Sequence, residues 1–441
     1  MTQLYHIWTV GCQMNKADSE RMGAALEQMG LEESATPQQA DVVVLNSCVV
    51  RQHAEDRVVG MLTSLKPWRE RNPDKTLALM GCMVGPQQDA LKRIYPYVDL
   101  FLRPQQFDPL IQRVGEHLGV DTDGCIGPFV PGHPSVATHV PISHGCDKFC
   151  TFCIIPYRRG RDVSRPLEEL VAECRMLAQR GVREVTLLGQ NVDSYGHDLP
   201  GSQDLADLLQ VVHDGVPELA RIRFLTSHPN DMGQRIIDAV ARLPRVMESI
   251  NLPFQAGDDT VLERMHRGYT NLQYRELVQR IRATIPDVSM VTDLIVGFPS
   301  ETSDQFERSL EMLRDLRFDK VHAAAYSERP NTIAARTMPD DVPHEEKQRR
   351  LRAIEQLQES ILAEINSSHL GTTQEVLIDG HNKGKWQGRT RTDKLVHVES
   401  DEELLGMLVD VRITQTSPWS LQGRAFNPIS GAGTTRSPHV A

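Results

Sequence analysis

Short apolar runs separated by longer polar, helix-compatible stretches fill most of this chain, and they fall into three regimes. In the first, YHIWTV, DVVVLNS and LALM are each followed by a polar segment with helical spacing. Runs of this length predict strands buried on both faces, and their alternation with helices predicts a parallel α/β sheet over residues 1–124. Past about residue 136 the alternation resumes with THVPIS, REVTLLGQ, RIRFLTS, SINLPF, VSMVTDLIVGF and DKVHAAAY. Six parallel strands with intervening helices predict a partial (β/α)6 barrel over 132–366, with its site at the carboxyl ends of the strands. The last regime, EVLIDG, KWQGRTRT, KLVHVES, LVDVRITQT and SLQGRAF, has short strands broken by turns. It predicts a small all-β module over 369–430, about the size of an oligonucleotide-binding barrel, followed by a disordered tail at 431–441. The fold class is therefore α/β multidomain with an all-β appendage.

Composition fits a multidomain soluble enzyme. The 441 residues suffice for two to four domains, and no stretch reaches the length of a membrane span. MTQLYHIWTVGCQMN lacks a charged leader, an apolar core and a small-residue cleavage site, so no export signal is expected. Eight cysteines in such a chain read as ligands and buried thiols, not as a disulfide framework. The net charge of −11 argues weakly against a nucleic-acid partner, but binding depends on local patches. One patch holds Lys383, Lys385, Arg389, Arg391 and Lys394 around Trp386, which suits phosphate contact and base stacking and equally a solvated hairpin tip. A second comprises Arg158, Arg159, Arg161 and Arg165.

The chemistry concentrates in the cysteines. Cys146, Cys150 and Cys153 form C-x3-C-x2-C in SHGCDKFCTFCIIP, with no fourth cysteine close enough to complete a compact site. A cubane iron–sulfur cluster normally takes four thiolates and a structural zinc four protein ligands. Three thiolates on a cubane leave one iron for a ligand that is not protein. A zinc knuckle completed by His144, or three core cysteines, are the alternatives that spacing leaves open. In the first region each strand runs into a cysteine: Cys12, Cys48 and Cys82. Ligands of open α/β sheets gather outside the carboxyl ends of the strands, so these three are expected to converge on a second three-thiolate site. Half-buried cysteines at strand ends are the plain alternative. Cys174 shares a helical face with Leu167, Leu170, Val171 and Leu177 and reads as packing, while Cys125 in DTDGCIGPF reads as linker.

These residues carry a family resemblance. C-x3-C-x2-C is the signature of the radical S-adenosylmethionine enzymes, and the order of parts is similar to the methylthiotransferases: a three-cysteine domain, a radical barrel, then a TRAM module. Gly11-Cys12-Gln13-Met14-Asn15, Asn46-Ser47-Cys48-Val49-Val50-Arg51, Gly81-Cys82-Met83 and Cys150-Thr151-Phe152-Cys153-Ile154-Ile155-Pro156-Tyr157 most resemble the branch that modifies isopentenylated adenosine beside the tRNA anticodon. The resemblance implies two 4Fe–4S clusters, one on Cys146, Cys150 and Cys153 and an auxiliary one on Cys12, Cys48 and Cys82. It also implies two uses of S-adenosylmethionine per turnover. One molecule methylates a sulfur held at the auxiliary cluster, and the other yields the 5′-deoxyadenosyl radical that opens carbon 2 of adenine. Gly189, Gln190 and Asn191 after the second barrel strand, and Gln255 after the fourth, are the implied S-adenosylmethionine contacts, with Gly297 on the same rim.

The implied partners are the tRNA anticodon loop, an external low-potential electron donor and a sulfur source or cluster-repair carrier, in the cytoplasm and with no membrane. Two strings depart from the usual pattern. Asn331 stands where relatives tend to have glycine, in Tyr326-Ser327-Glu328-Arg329-Pro330-Asn331-Thr332, and Ala256 where they have serine before Gly257. Asparagine tolerates positive φ, so that turn is expected to survive. Sister methylthiotransferases acting on threonylcarbamoyl-adenosine or on a ribosomal-protein aspartate remain open, as does a non-catalytic metal-containing RNA-binding protein.

Overall fold

The computed structural model describes residues 3–49, 52–119, 130–132 and 134–429. The expected linker around Cys125, the Val50-Arg51 end of the second cysteine string and the tail at 431–441 lie outside the described residues.

The first part is a five-stranded sheet of β1 (Leu4–Thr9), β2 (Glu32–Glu33), β3 (Val42–Ser47), β4 (Thr76–Gly81) and β5 (Leu100–Leu102). Its order is β2-β1-β3-β4-β5, and every pair is parallel. β3 and β4 are buried along their whole length. Val43, Leu45, Leu77 and Leu79 enter one apolar cluster, and Val42, Val44, Ala78 and Met80 enter another on the opposite face. Both faces being covered, the strands read as continuous apolar runs instead of alternating ones. The two short strands β2 and β5 carried too few residues to show a period.

The second part contains all six expected barrel strands, as β6 (Ala137–Pro141), β9 (Glu184–Leu188), β10 (Arg221–Leu225), β11 (Ser249–Asn251), β12 (Ser289–Val296) and β13 (Lys320–Ala325). They form two parallel triplets, β10-β9-β6 and β11-β12-β13. The triplets are joined where Ile222 N–H donates to Arg245 O at 2.7 Å, Met247 N–H to Ile222 O at 3.0 Å and Ser227 N–H to Asn251 O at 3.0 Å. The result is an open half-barrel around a large apolar core that includes Cys174, fully buried as its helical spacing predicted. A short antiparallel pair, β7 (Ser143–His144) and β8 (Val163–Ser164), was not legible in the sequence. It closes the neck of the loop that carries Cys146, Cys150 and Cys153.

The third part is a closed five-stranded barrel of β14 (Thr373–Asn382), β15 (Lys385–Thr390), β16 (Leu395–Glu399), β17 (Leu408–Thr416) and β18 (Leu421–Ile429), in the order β14-β15-β16-β18-β17. Val376, Ile378, Val396, Val398, Val409, Val411 and Ile413 alternate inward to fill it.

This module docks on the amino-terminal end of the half-barrel strands. Arg221 Nη1 donates to Arg389 O at 2.6 Å and Nη2 to Glu375 Oε1 at 3.2 Å, while Arg223 donates to the carbonyls of Thr390 and Arg391 at 2.8 and 2.9 Å. Arg221 is fully buried, so truncating it strands Glu375 and two carbonyls. Arg221→Met is expected to cost about 3 kcal/mol in urea unfolding and to speed proteolysis between Ser367 and Thr373.

Candidate active site

Each barrel-side thiol owes its position to local backbone constraints. Gly145 opens the cluster loop at φ +80, where an added Cβ would lie 1.9 Å from Arg161 O, so only glycine fits. Cys146 N–H donates to Gly160 O at 3.2 Å, and Phe149 at φ +47 turns the chain back before Cys150. Thr151 then fastens the loop to the segment after the helix Asp259–Arg264, through N–H to Met265 O at 3.1 Å and Oγ1 to Arg264 O at 2.8 Å. Burial pushes the Cys146 thiol up to about 11 and the Cys153 thiol up to about 12. Both also feel Cys150, and Cys153 feels Cys146, so the three thiols share one space. Desolvated thiols with raised pKa become thiolates when a cation compensates them, which is what a ligand set for a metal cluster requires.

The second trio of cysteines lies at the ends of neighbouring strands. Cys12, Cys48 and Cys82 follow the adjacent parallel strands β1, β3 and β4. Cys12 is the N-cap of the helix Gln13–Gln28, where the helix dipole favours an anion. An added Cβ on its neighbour Gly11 would lie 2.9 Å from Cys48 Cβ. Burial raises the pKa of Cys82, the Arg159 guanidinium lowers it, and Cys12 raises it again. Asn15 and Asn46 lie beneath: Asn15 Oδ1 accepts from Cys12 Sγ at 3.3 Å, and Asn15 Nδ2 donates to Asn46 Oδ1 and Ser47 O, both at 3.0 Å. Among the described residues no three His, Cys, Asp or Glu side chains converge on a position for a single ion. A cubane is larger than one ion and asks for wider spacing.

The N-terminal domain packs on the barrel rim. Met14 and Ala17 of the helix Gln13–Gln28 pack on Leu188 and Leu225, the last residues of β9 and β10, so the first domain roofs the barrel rim. The helix Ile155–Arg159 starts two residues after Cys153 and is about 8 Å long at 1.5 Å per residue. It ends at Arg159, whose Nη2 donates to Asp18 Oδ2 at 3.0 Å beside Cys82 and Cys12. Sequence reading did not single out Asp18 and assigned Arg159 to a basic patch.

That patch is not one. Arg159 pairs with Asp18, Arg161 grips Asp147 at 2.5 and 2.9 Å, Arg165 pairs with Glu169 and Glu173, and Arg158 lies against Gly85. Carboxylates that are remote in sequence or lie on the next helical turn neutralise most of the charge that the string displayed.

The rim holds an arc of buried polar atoms without partners: Gln190 Oε1, Asn191 Oδ1, His228 Nε2, Asn251 Oδ1 and Gln255 Oε1. All follow or end β9, β10 or β11. Unsatisfied buried groups at this density call for a polar ligand, and a nucleoside-bearing amino acid such as S-adenosylmethionine fits them. Gln190, Asn191 and Gln255 are among the contacts that the resemblance implies; His228 and Asn251, in the same position, carry no spacing signal in the sequence. Gly189 sits where a Cβ would lie 2.9 Å from Ser143 Oγ, so its role in the structure is close packing of the rim. Gly297, at φ +68, gives its side-chain space to the stem of Lys347. Asn331 takes φ +75, and the turn survives as expected. Asn191 Nδ2 donates to Asp231 Oδ2 at 2.6 Å, and Asp231 also binds Lys148 of the cluster loop, tying loop to rim.

The basic hairpin is split by the docking. Arg391 binds Glu248 at 2.6 and 2.9 Å and Lys394 binds Asp319 at 2.8 Å, both on the barrel. Arg389 turns to Asp393, and Lys385 reaches Glu399 at 3.0 Å. Lys383, at φ +51 in the turn, is exposed, and Trp386 stacks edge-on to His381 at 4.8 Å. Five residues separate Thr390 from Lys385, so the tip stands roughly 17 Å beyond the docked end.

A half-barrel with three thiols on a loop after its first strand, beneath an arc of unsatisfied polar groups, defines a radical S-adenosylmethionine enzyme. The radical SAM superfamily model matches residues 140–313, the model described as uncharacterized protein family UPF0004 matches 4–103, and the TRAM domain model matches 368–426. The chain is 50% identical to a tRNA-2-methylthio-N(6)-dimethylallyladenosine synthase of Dehalococcoides mccartyi (strain CBDB1), covering 96% of this chain and 98% of that one. It is 51% identical to the synthase of that name from Roseiflexus sp. (strain RS-1), covering 95% and 89%. The chain belongs to this tRNA-2-methylthio-N(6)-dimethylallyladenosine synthase family. Its fold is similar to the radical S-adenosylmethionine methyltransferase TsrM from Kitasatospora setae, with a TM-score of 0.57 at 14% identity over 86% of this chain and 82% of that one.

One rim carboxyl gives a pH signature. Burial pushes Asp193 up to about 7, against the donors Ser227 Oγ at 2.9 Å and His228 N–H at 3.1 Å. The folded chain holds this proton more tightly than the unfolded one, so its contribution to stability is full at acid pH and is lost as pH rises through about 7. Asp193→Asn is expected to gain on wild type in thermal midpoint between pH 5 and pH 8, measured by differential scanning calorimetry.

Proposed function

We propose that this protein replaces the hydrogen on carbon 2 of N6-isopentenyladenosine, beside the anticodon of tRNA, with a methylthio group. What supports the reading is a three-cysteine loop at the barrel rim and a second trio of cysteines at the strand ends of the domain packed on that rim, in a chain belonging to the synthase family. Cys146, Cys150 and Cys153 would hold a 4Fe–4S cluster, which would supply one-electron cleavage of S-adenosylmethionine, and Cys12, Cys48 and Cys82 would hold a second, which would supply a place for the sulfur. The residues of the chain do the rest. Gln190, Asn191 and Gln255 offer acceptors to the cosubstrate, with Gly189 holding the rim close-packed behind them. The roof made by Met14 and Ala17 covers the rim, and a closed site keeps a reactive intermediate from side reactions. The carbon 2 hydrogen has no useful acidity, so the reaction asks for a radical and not for an acid–base pair.

The hairpin tip around Lys383, Lys385 and Trp386, with Arg389, supplies phosphate and stacking contacts to the RNA, while Arg391 serves the docking of the module. An external low-potential donor provides electrons and a sulfur carrier restores the auxiliary site. No helix among the described residues is long and apolar enough to cross a membrane, and we place the enzyme in the cytoplasm with its tRNA.

Anaerobically reconstituted protein is expected to hold about eight irons, falling to about four in Cys146→Ala/Cys150→Ala/Cys153→Ala and also in Cys12→Ala/Cys48→Ala/Cys82→Ala. Mass spectrometry of nucleosides from isopentenylated tRNA then reads the methylthio product; product absent from an eight-iron enzyme, or present on threonylcarbamoyl-adenosine instead, rejects the substrate assignment. Lys383→Glu/Lys385→Glu is expected to weaken tRNA binding and to flatten its salt dependence by about one unit of slope per lost phosphate contact, checked by filter binding at varied salt.

A further inference from the structure

Arg267 is a buried cation without a protein counter-charge. It is 5% exposed, and its three donating nitrogens are each committed: Nε to Tyr269 Oη at 3.1 Å, Nη2 to Pro253 O at 3.1 Å, and Nη1 to Cys150 Sγ at 3.2 Å. Tyr269 is itself fixed by donation to the carbonyls of Pro253 and Phe254, so the guanidinium sits in a rigid cradle. Among the described residues no Asp or Glu pairs with it; its side-chain neighbours are the Cys150 sulfur and the Tyr269 hydroxyl. Arg159 at the other thiol set has Asp18, and Arg221 at the docking interface has Glu375. A buried guanidinium left without an anion is strongly destabilising, and the group that its Nη1 is aimed at is the Cys150 sulfur.

We propose that Arg267 is the counter-ion of the cluster on Cys146, Cys150 and Cys153, and that it sets the ease with which this cluster accepts its electron. The inference rests on the radical S-adenosylmethionine reading of that site. In the step concerned, the oxidised cluster takes one electron from an external reductant and no proton moves, so the site becomes more negative by one charge. A fixed guanidinium donating to a ligating sulfur stabilises the more negative state, and hydrogen bonds to cluster sulfurs are a main lever on reduction potential. Arg267 is thus a positioning and tuning residue.

The test is an EPR-monitored redox titration, with dithionite as reductant, in the Cys12→Ala/Cys48→Ala/Cys82→Ala background, where only this cluster assembles. Arg267→Gln removes the charge and is expected to lower the reduced-to-oxidised ratio at fixed potential at least tenfold, a shift of about 59 mV or more to lower potential for a one-electron couple. Arg267→Lys keeps the charge and is expected to shift less. Should Arg267→Gln hold no iron, Tyr269→Phe decides, since it keeps the guanidinium and its bond to Cys150 while removing the hydroxyl that braces it; a smaller shift in the same direction is expected. Iron-replete Arg267→Gln or Tyr269→Phe with an unchanged or raised potential overturns the inference alone. A parent without iron overturns the cluster assignment and the inference with it.

Discussion

Everything at the site depends on one buried ion pair. Arg159 and Asp18 meet at 3.0 Å with both side chains 1% exposed, joining the cluster loop of the barrel to the first helix of the N-terminal domain. The two elements are also held by apolar packing, Ile154 and Tyr157 entering the N-terminal core and Met14 and Ala17 lying on Leu188 and Leu225, and the ion pair fixes their register. The link is costly to desolvate and costly to break, which makes it a locator more than a source of stability. Because Arg159 also lies against Cys82 and Cys12, the contact that fixes this register also reaches the second trio of cysteines.

The half-barrel treats its two ends in opposite ways. At the amino-terminal end Arg221, Arg223, Glu248 and Asp319 are met by carbonyls or charged partners of the small β-barrel, with only Nε of Arg221 left over. At the carboxyl end Gln190, Asn191, His228, Asn251 and Gln255 keep atoms that the protein does not satisfy. Polarity buried without partners costs folding free energy and persists where a ligand repays it. The same strands therefore serve as docking face at one end and as a site at the other.

Legibility followed locality. Six barrel strands and three N-terminal strands were readable because short apolar runs between polar segments have few other structures open to them. Cys174 was readable from i, i+3, i+4, i+7 spacing, and the Asn331 turn from the tolerance of asparagine for positive φ. Arg159, Arg161 and Arg165 misled because a string of cations displays its charge while its counter-ions lie elsewhere: Asp18 is 141 residues from Arg159. Arg391 and Lys394 misled in the same way, their partners being Glu248 and Asp319. Arg267 showed nothing, since an arginine before a glycine and a tyrosine carries no period or spacing.

The sequence by itself determined the element types, the cysteine inventory and the loop that gathers Cys146, Cys150 and Cys153, because ligands three and four residues apart can share a site without help from the rest of the chain. Strand-end placement also put Cys12, Cys48 and Cys82 at one edge of one sheet. Only the tertiary structure decided which cations are free and which are neutralised, that the N-terminal domain packs on the barrel rim, and that Arg267 points at Cys150 with no carboxylate of its own. Those are properties of distance between residues far apart in the chain, and in a folded protein burial sets the energy of a charge as much as its identity does.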